Sequence, residues 1–413
     1  VPSPRPSLLR PTFLLALAAP LPGIAVELDL FHVPVVWETV LFGVAILGAA
    51  FILSWAAEVA QLDISQTLAI AVLALIAVLP EYAVDLILAR RAGQEFAATG
   101  VPGESQHLAV ANMTGANRLL IGIGWATVVL IFYFKTKKRK VDLKPTQRTD
   151  IGFLLIATLW AFTIPLRKHL SLLDLGVLGT LFLFYIVRAA KEEVEEPELI
   201  GAAAALGALG TAARRTATIG LFLFAAATIL FVAEPFVEGL KHIGSQYGIS
   251  NFLLIQWVAP LASEAPEMII AILFTLRLNA QAGLGTLISS KVNQWTLLVG
   301  TLPLVFSLAG AGIDTPMRMD HRQIEEVFLT AAQSLFAVAV IANMSVSRME
   351  ASVLLVLFLG QFGFEDSTIR YIFAYTYIVL AVGIIVFNAE VRRNLLRSLA
   401  HVFGVDRRRS RPA

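Results

Sequence analysis

Two Pro-Glu steps, Leu79-Pro80-Glu81 and Ala265-Pro266-Glu267, are the residues of this chain best suited to chemistry, because each lies inside an apolar run. A carboxylate in such surroundings costs several kcal/mol or more unless it is paired, solvated or neutralised. Proline withdraws an amide hydrogen and disturbs the preceding turn, so carbonyl oxygens are released beside the acid. Carboxylate and carbonyl oxygens together suit a hard cation. Around the second step Ser263 adds a hydroxyl, Pro260 a second break, and Glu264 another acid one turn before Glu267 on much the same face. Asp85 follows Glu81 by one turn.

After each Pro-Glu run comes a short polar break, with Arg90 and Arg91 or with Arg277, and then a second long apolar run. These second runs hold small, oxygen-bearing residues, Asn112 and Asn117 in the first and Thr286, Ser289 and Ser290 in the second, and Gly115 lets another backbone approach closely. A lone serine or threonine there is ordinary helix–helix contact, whereas the glutamate pair carries a functional reading. Arg118 and Lys291 fall in the same regions. Two readings stay open for them: neutralisation of Glu81, Glu264 or Glu267, or a tethered cation standing in for a bound monovalent ion. Trp257 and Trp295 read as packing residues rather than cation–π partners.

The elements that must position these residues are membrane helices. Of the 413 residues 57% are hydrophobic and 15% charged, and the apolar residues fall in runs of about 20 separated by polar segments. Helices satisfy their own backbone hydrogen bonds in lipid. The pattern predicts helices at roughly 12–28, 36–60, 64–90, 106–134, 150–165, 171–189, 215–238, 251–277, 282–310, 324–344, 350–363 and 368–390. The run 350–363 is short for a full span. Residues 1–35 read as an extra helix, with a signal peptide as the alternative.

The two Pro-Glu segments are copies of one repeat. Ala57-Glu58 precedes the first as Ala233-Glu234 precedes the second. An odd number of spans separates the copies, so they enter the membrane from opposite sides, and inverted repeats with interrupted helices point to a secondary transporter. The chain divides into an N-terminal segment 1–35, a first half 36–190, a linker 191–214, a second half 215–363, and a C-terminal helix and tail 364–413. The acidic stretch from Lys191 to Glu198 reads as a solvated linker, with calcium sensing as the alternative. The basic loop from Lys135 to Arg148 and the arginine-rich tail are expected in the cytoplasm, as topology signals touching anionic lipid rather than nucleic acid.

The motifs resemble those of the cation/calcium exchanger superfamily, which includes sodium/calcium and calcium/proton exchangers. The stretch Ser263-Glu264-Ala265-Pro266-Glu267 keeps the spacing of the family's G-T-S-x-P-E motif, and Asn112, Gly115 and Asn117 keep that of its G-N-x-x-G-S-N motif. The resemblance implies an all-α polytopic protein of two inverted five-helix repeats, a ten-helix exchanger core, with extra N- and C-terminal helices. It makes Glu81 and Glu267 the central cation-binding glutamates and matches Ser263 and Ser290 to the family's threonine and serine. Ala77, Val78, Glu264, Ala116 and Lys291 depart from the pattern, which removes sodium-ligand oxygens and leaves the fold intact.

The function expected is secondary-active cation antiport, with calcium exchanged for sodium or protons by alternating access. Glu264, an added titratable group, favours protons. The alternatives are an antiporter of another cation, or a transport-inactive relative with a structural or sensing role. No cofactor beyond the transported cation is expected. The partners are the bilayer and the cations, and the resemblance implies that one protomer is complete. An enzyme is disfavoured: the histidines (His32, His107, His169, His242, His321 and His401) fall in loops or at helix ends, cysteine is absent, and no HExxH or GxSxG motif occurs. His107 is the histidine with a pH-sensing alternative. A phosphate loop is also lacking, so a gradient must drive the cycle. A prokaryotic inner membrane is the preferred location.

Overall fold

The computed structural model describes residues 11–63, 79–191, 199, 201–362, 364 and 366–404. The helices are α1 (Pro11–Ala18), α2 (Pro20–Glu27), α3 (Val35–Ala60), α4 (Leu79–Thr99), α5 (Glu104–Thr136), α6 (Gln147–Arg167), α7 (Leu172–Ala189) and α8 (Gly201–Gly207). They continue as α9 (Thr211–Tyr247), α10 (Asn251–Leu276), α11 (Ala280–Ala311), α12 (His321–Ile341), α13 (Arg348–Phe362), α14 (Ser367–Phe387) and α15 (Ala389–Val402). Among the described residues 9 helices are long and apolar enough to cross a membrane. The protein is an all-α polytopic membrane protein, as its apolar runs predict.

Several boundaries differ from the sequence pattern. The first run is broken by Pro20 into α1 and α2. Arg90 and Arg91 do not end α4, which continues to Thr99. Nor does Pro235 end α9, which is 37 residues long. The linker contains α8, and past α14 an unexpected amphipathic helix, α15, is capped by Asn388, whose side chain accepts from the amides of Glu390 and Val391. Residues 64–78, which include Ala77 and Val78, lie outside the described residues.

The described chain falls into two compact units, each drawing on both sequence halves: residues 1–87 with 190–266, and residues 88–189 with 267–413. In the first unit α3 and α9 pack together through Ala49, Ile52, Leu53 and Ala57 against Ala225, Ile229 and Ala233. Phe13 of α1 joins Val59 and the α8 residues Ala202, Ala203 and Leu206. The end of α3 is clasped to the start of α9 by Asp63, which accepts from Arg214 at 2.7 and 2.8 Å and from Arg215 at 3.0 Å. The Arg214 hydrogen bond, with Arg215 in support, lowers the Asp63 carboxyl to about 2. Because the folded value lies below the unfolded one, the clasp stabilises fully above the ordinary carboxylate range and is lost as pH falls toward about 2. Asp63→Asn is therefore expected to lower the melting temperature at pH 7 and to be nearly silent near pH 2. A melting series across pH checks this, and an equal deficit at every pH would contradict it.

In the second unit the loops show the repeat symmetry. Strand β1 (Lys140–Asp142) pairs antiparallel with β4 (Ser345–Ser347), and β2 (His169–Leu170) pairs antiparallel with β3 (Met317–Arg318). β1 joins α5 to α6 and β3 joins the corresponding α11 to α12, while β2 follows α6 and β4 follows α12. Exchanging the repeats exchanges β1 with β3 and β2 with β4, so it converts one ribbon into the other. The long helices repeat as well. An i→i+5 turn interrupts α5 at Leu120–Trp125 and α11 at Gln294–Leu298.

Candidate cation site

The site residues are described unit by unit. In the first unit Ser263 and Glu264 are buried on α10, which holds Pro260 and Pro266 in its interior. Pro266 cannot donate to the carbonyl of Ala262, and Pro260 cannot donate to that of Gln256. The Ser263 hydroxyl turns back onto the carbonyls of Ala259 (3.4 Å) and Pro260 (3.3 Å). Gln256 is fully buried on the same helix, and among the described residues neither its Oε1 nor its Nε2 meets a hydrogen-bond partner. The spacing of Gln256, Pro260, Ser263, Glu264 and Glu267 sets a polar stripe along one side of α10. Glu81 lies in α4, but its side chain is outside the described residues; Asp85, one turn later, is buried.

In the second unit Glu267 and Ser290 are both buried, and their side chains face one another without closing a hydrogen bond of regular geometry. Asn112, Asn117, Arg118 and Lys291 are buried too. Lys291 donates to the Asn117 side-chain oxygen at 2.5 Å and lies 3.3 Å from the Asn117 carbonyl oxygen. The Asn117 amide is itself oriented by donation to the Met113 carbonyl at 2.8 Å. Trp295, read from the sequence as packing, is also a cation–π partner: the Lys291 ammonium stands 4.3 Å from its ring centroid. Arg118 compensates a carboxylate that the sequence reading missed, Glu326 of α12, which also takes Arg370 of α14 and, at 3.2 Å, Arg322.

Other candidates fall away from this group. Thr286 is exposed and spends its hydroxyl on the Ala282 carbonyl at 3.1 Å. Ser289 donates to Asp150 at 3.2 Å, and Asp150 also accepts from Tyr185 at 2.8 Å. His107 meets Asp320 at 3.0 Å with both side chains partly exposed.

The approach of α11 to α10 depends on Gly283. A Cβ there would stand 2.4 Å from the backbone oxygen of Ala271, one turn beyond Glu267. Gly283→Ala must push the helices apart, at a cost of about 1–3 kcal/mol, and draw Ser290 away from Glu267. A lowered melting temperature together with reduced transport is expected. Unchanged values for both would show that the helices do not meet this way.

The sodium/calcium exchanger protein model matches residues 35–191 and 217–364. This chain belongs to the sodium/calcium exchanger family. Membership places it among transporters rather than enzymes. It is 43% identical to a protein whose solved structure is described as the crystal structure of the H+/Ca2+ exchanger CAX, over 97% of this chain and 100% of that one, with a TM-score of 0.90. Native YfkE is 17% identical over 89% of this chain and 100% of its own, with a TM-score of 0.62. NCX_Mj soaked with 2.5 mM Na+ and 0.1 mM Ca2+ is 16% identical over 79% and 97%, with a TM-score of 0.51. The latter two speak for the fold alone. No curated protein sequence matches the chain. The two matched stretches take in α3 to α7 and α9 to α13, with α1 and α2 before them and α14 after them.

Proposed function

We propose that this protein is a secondary-active antiporter exchanging calcium for protons, with Glu81 and Glu267 binding the cation and the proton in turn. The observation that carries the reading is Glu267: a buried carboxylate beside Ser290, on a helix that holds Pro260 and Pro266 in its interior. It stands in a chain 43% identical over nearly its whole length to a protein described as an H+/Ca2+ exchanger.

A buried carboxylate is stable when a cation or a proton neutralises it, and unstable when bare. Each acid that releases calcium therefore takes up a proton, which makes the two ions competitors for one set of oxygens. The carbonyl left free by Pro266 supplies a neutral ligand, and Ser263, Ser290 and Asn112 offer further oxygens, whereas the Asn117 side-chain oxygen is taken by Lys291. Glu264 adds a second acid to the same helix and deepens the coupling to protons. The Lys135–Arg148 loop and the arginine-rich tail face the cytoplasm of a prokaryotic inner membrane in this reading.

The test is uptake of radioactive calcium by proteoliposomes loaded at acid pH and diluted into neutral buffer, beside an equal sodium gradient at uniform pH. Uptake under the pH gradient is expected. Folded protein that gives none under either gradient would contradict calcium exchange.

A further inference from the structure

The sequence places a lysine in the middle of an apolar helix, and the structure shows what surrounds it. Lys291 is fully buried on α11. Its ammonium meets the side-chain oxygen of Asn117, the carbonyl oxygen of Asn117 and the face of Trp295. These three contacts are neutral. An amide oxygen, a peptide oxygen and an aromatic face are what a dehydrated monovalent cation accepts in exchange for water.

The repeat symmetry gives these contacts a second meaning. The i→i+5 turn begins at Leu120 in α5 and at Gln294 in α11. Three residues before each start stand Asn117 and Lys291, so the lysine is bonded to its own counterpart in the other repeat. One copy presents an oxygen ligand at this position, and the other presents a positive charge that uses that ligand. The next residue back from Lys291 is Ser290, which faces Glu267. The fixed charge is thus built into the helix that lines the proposed exchange site.

We infer that the Lys291 ammonium is a built-in monovalent cation: it fills the position that a free alkali-metal ion would take between Asn117 and α11, and so makes counter-transport independent of sodium. The inference rests on the exchanger reading for its transport consequence, but the ion site itself can be tested without flux. An ammonium on a covalent tether requires no ion dehydration in each cycle and cannot be released to either side. A free sodium ion entering the same oxygens would have to overcome its repulsion as well as lose its own water.

Lys291→Asn restores to α11 the residue type found at the equivalent position of α5 and leaves two amide oxygens and a carbonyl around the space of the ammonium. Lys291→Gln does the same with a longer side chain. Both variants and the parent protein would be purified in sodium, exchanged into sodium or choline, and melted in detergent. Sodium at about 100-fold over its dissociation constant should raise the melting temperature of a variant by about 3 °C or more and leave the parent unmoved. In proteoliposomes the same variant should acquire sodium-driven calcium uptake that the parent lacks. Equal stabilisation of the parent by sodium would overturn the inference, and so would a folded variant indifferent to sodium. Failure of both variants to fold in sodium would also count against it, because sodium should replace the ammonium. If the parent carries no calcium under any gradient while a variant still gains sodium-dependent stability, the exchange reading fails and the ion site stands.

Discussion

Glu326→Gln is expected to cost about 3–5 kcal/mol of stability, the range for removing one partner of a buried ion pair. Glu326 has no solvent exposure and is held by Arg118 and Arg370, both nearly fully buried, and by Arg322. Without its negative charge, guanidinium groups of like sign are left close together in a medium that screens them poorly. The loss also reaches the candidate site. Arg118 follows Asn117 directly, and its carbonyl accepts from Gln333 at 3.2 Å, so a displaced Arg118 carries the Asn117–Lys291 contact with it. Thermal melting in detergent reads the effect. The additional changes Arg118→Met and Arg370→Met should recover much of the loss, because they remove the uncompensated charges together. A fall equivalent to less than about 1 kcal/mol, the worth of a surface pair, would mean that the cluster is solvated.

Glu267→Gln should behave in the opposite way. The change keeps the shape and removes the charge, so the buried site no longer needs neutralisation, and stability should hold or rise. Transport should collapse. Altering a group that merely supports a metal ligand commonly costs 10–100-fold in affinity, and loss of a charged ligand should cost on the order of 100-fold or more in calcium flux. The two variants therefore separate on paired readouts: Glu326→Gln loses stability first, Glu267→Gln loses flux alone. Residual calcium transport within about tenfold of the parent would remove Glu267 from the ligand set.

The parts of the fold that were legible in the sequence are those encoded within one helix or repeated at a fixed offset. The Pro-Glu steps can be read because proline and an acid inside an apolar run are costly wherever the chain goes. The helix pairs can be read because each occurs twice. The cluster around Glu326 could not be read in the same way: Glu326 and Arg370 lie in the second and first turns of their helices, where charges are usually solvated, and only tertiary packing buries them. The same holds for the contact between Asn117 and Lys291. The motif spacing already set Lys291 opposite Asn117 as a departure from the pattern, yet only the structure shows that the two side chains touch. Trp295 was assigned to packing because an aromatic residue on an apolar helix usually packs, and the ammonium above its ring is invisible in one dimension. For α15 the signal was present: Asn388 is a capping residue, and Val391, Leu395, Ser398 and Val402 fall on one helical face and are buried. Its arginines were read instead as a tail.

The exchange of calcium for protons is tested most directly by watching the proton move. Proteoliposomes holding a pH-sensitive dye, with no imposed pH gradient and the membrane potential clamped, would receive external calcium at constant sodium. The account predicts that calcium entry drives protons out, so the lumen turns alkaline in the parent protein and does not in Glu267→Gln. Calcium entry with no change in luminal pH would contradict it, and would mean that protons are not the counter-ion.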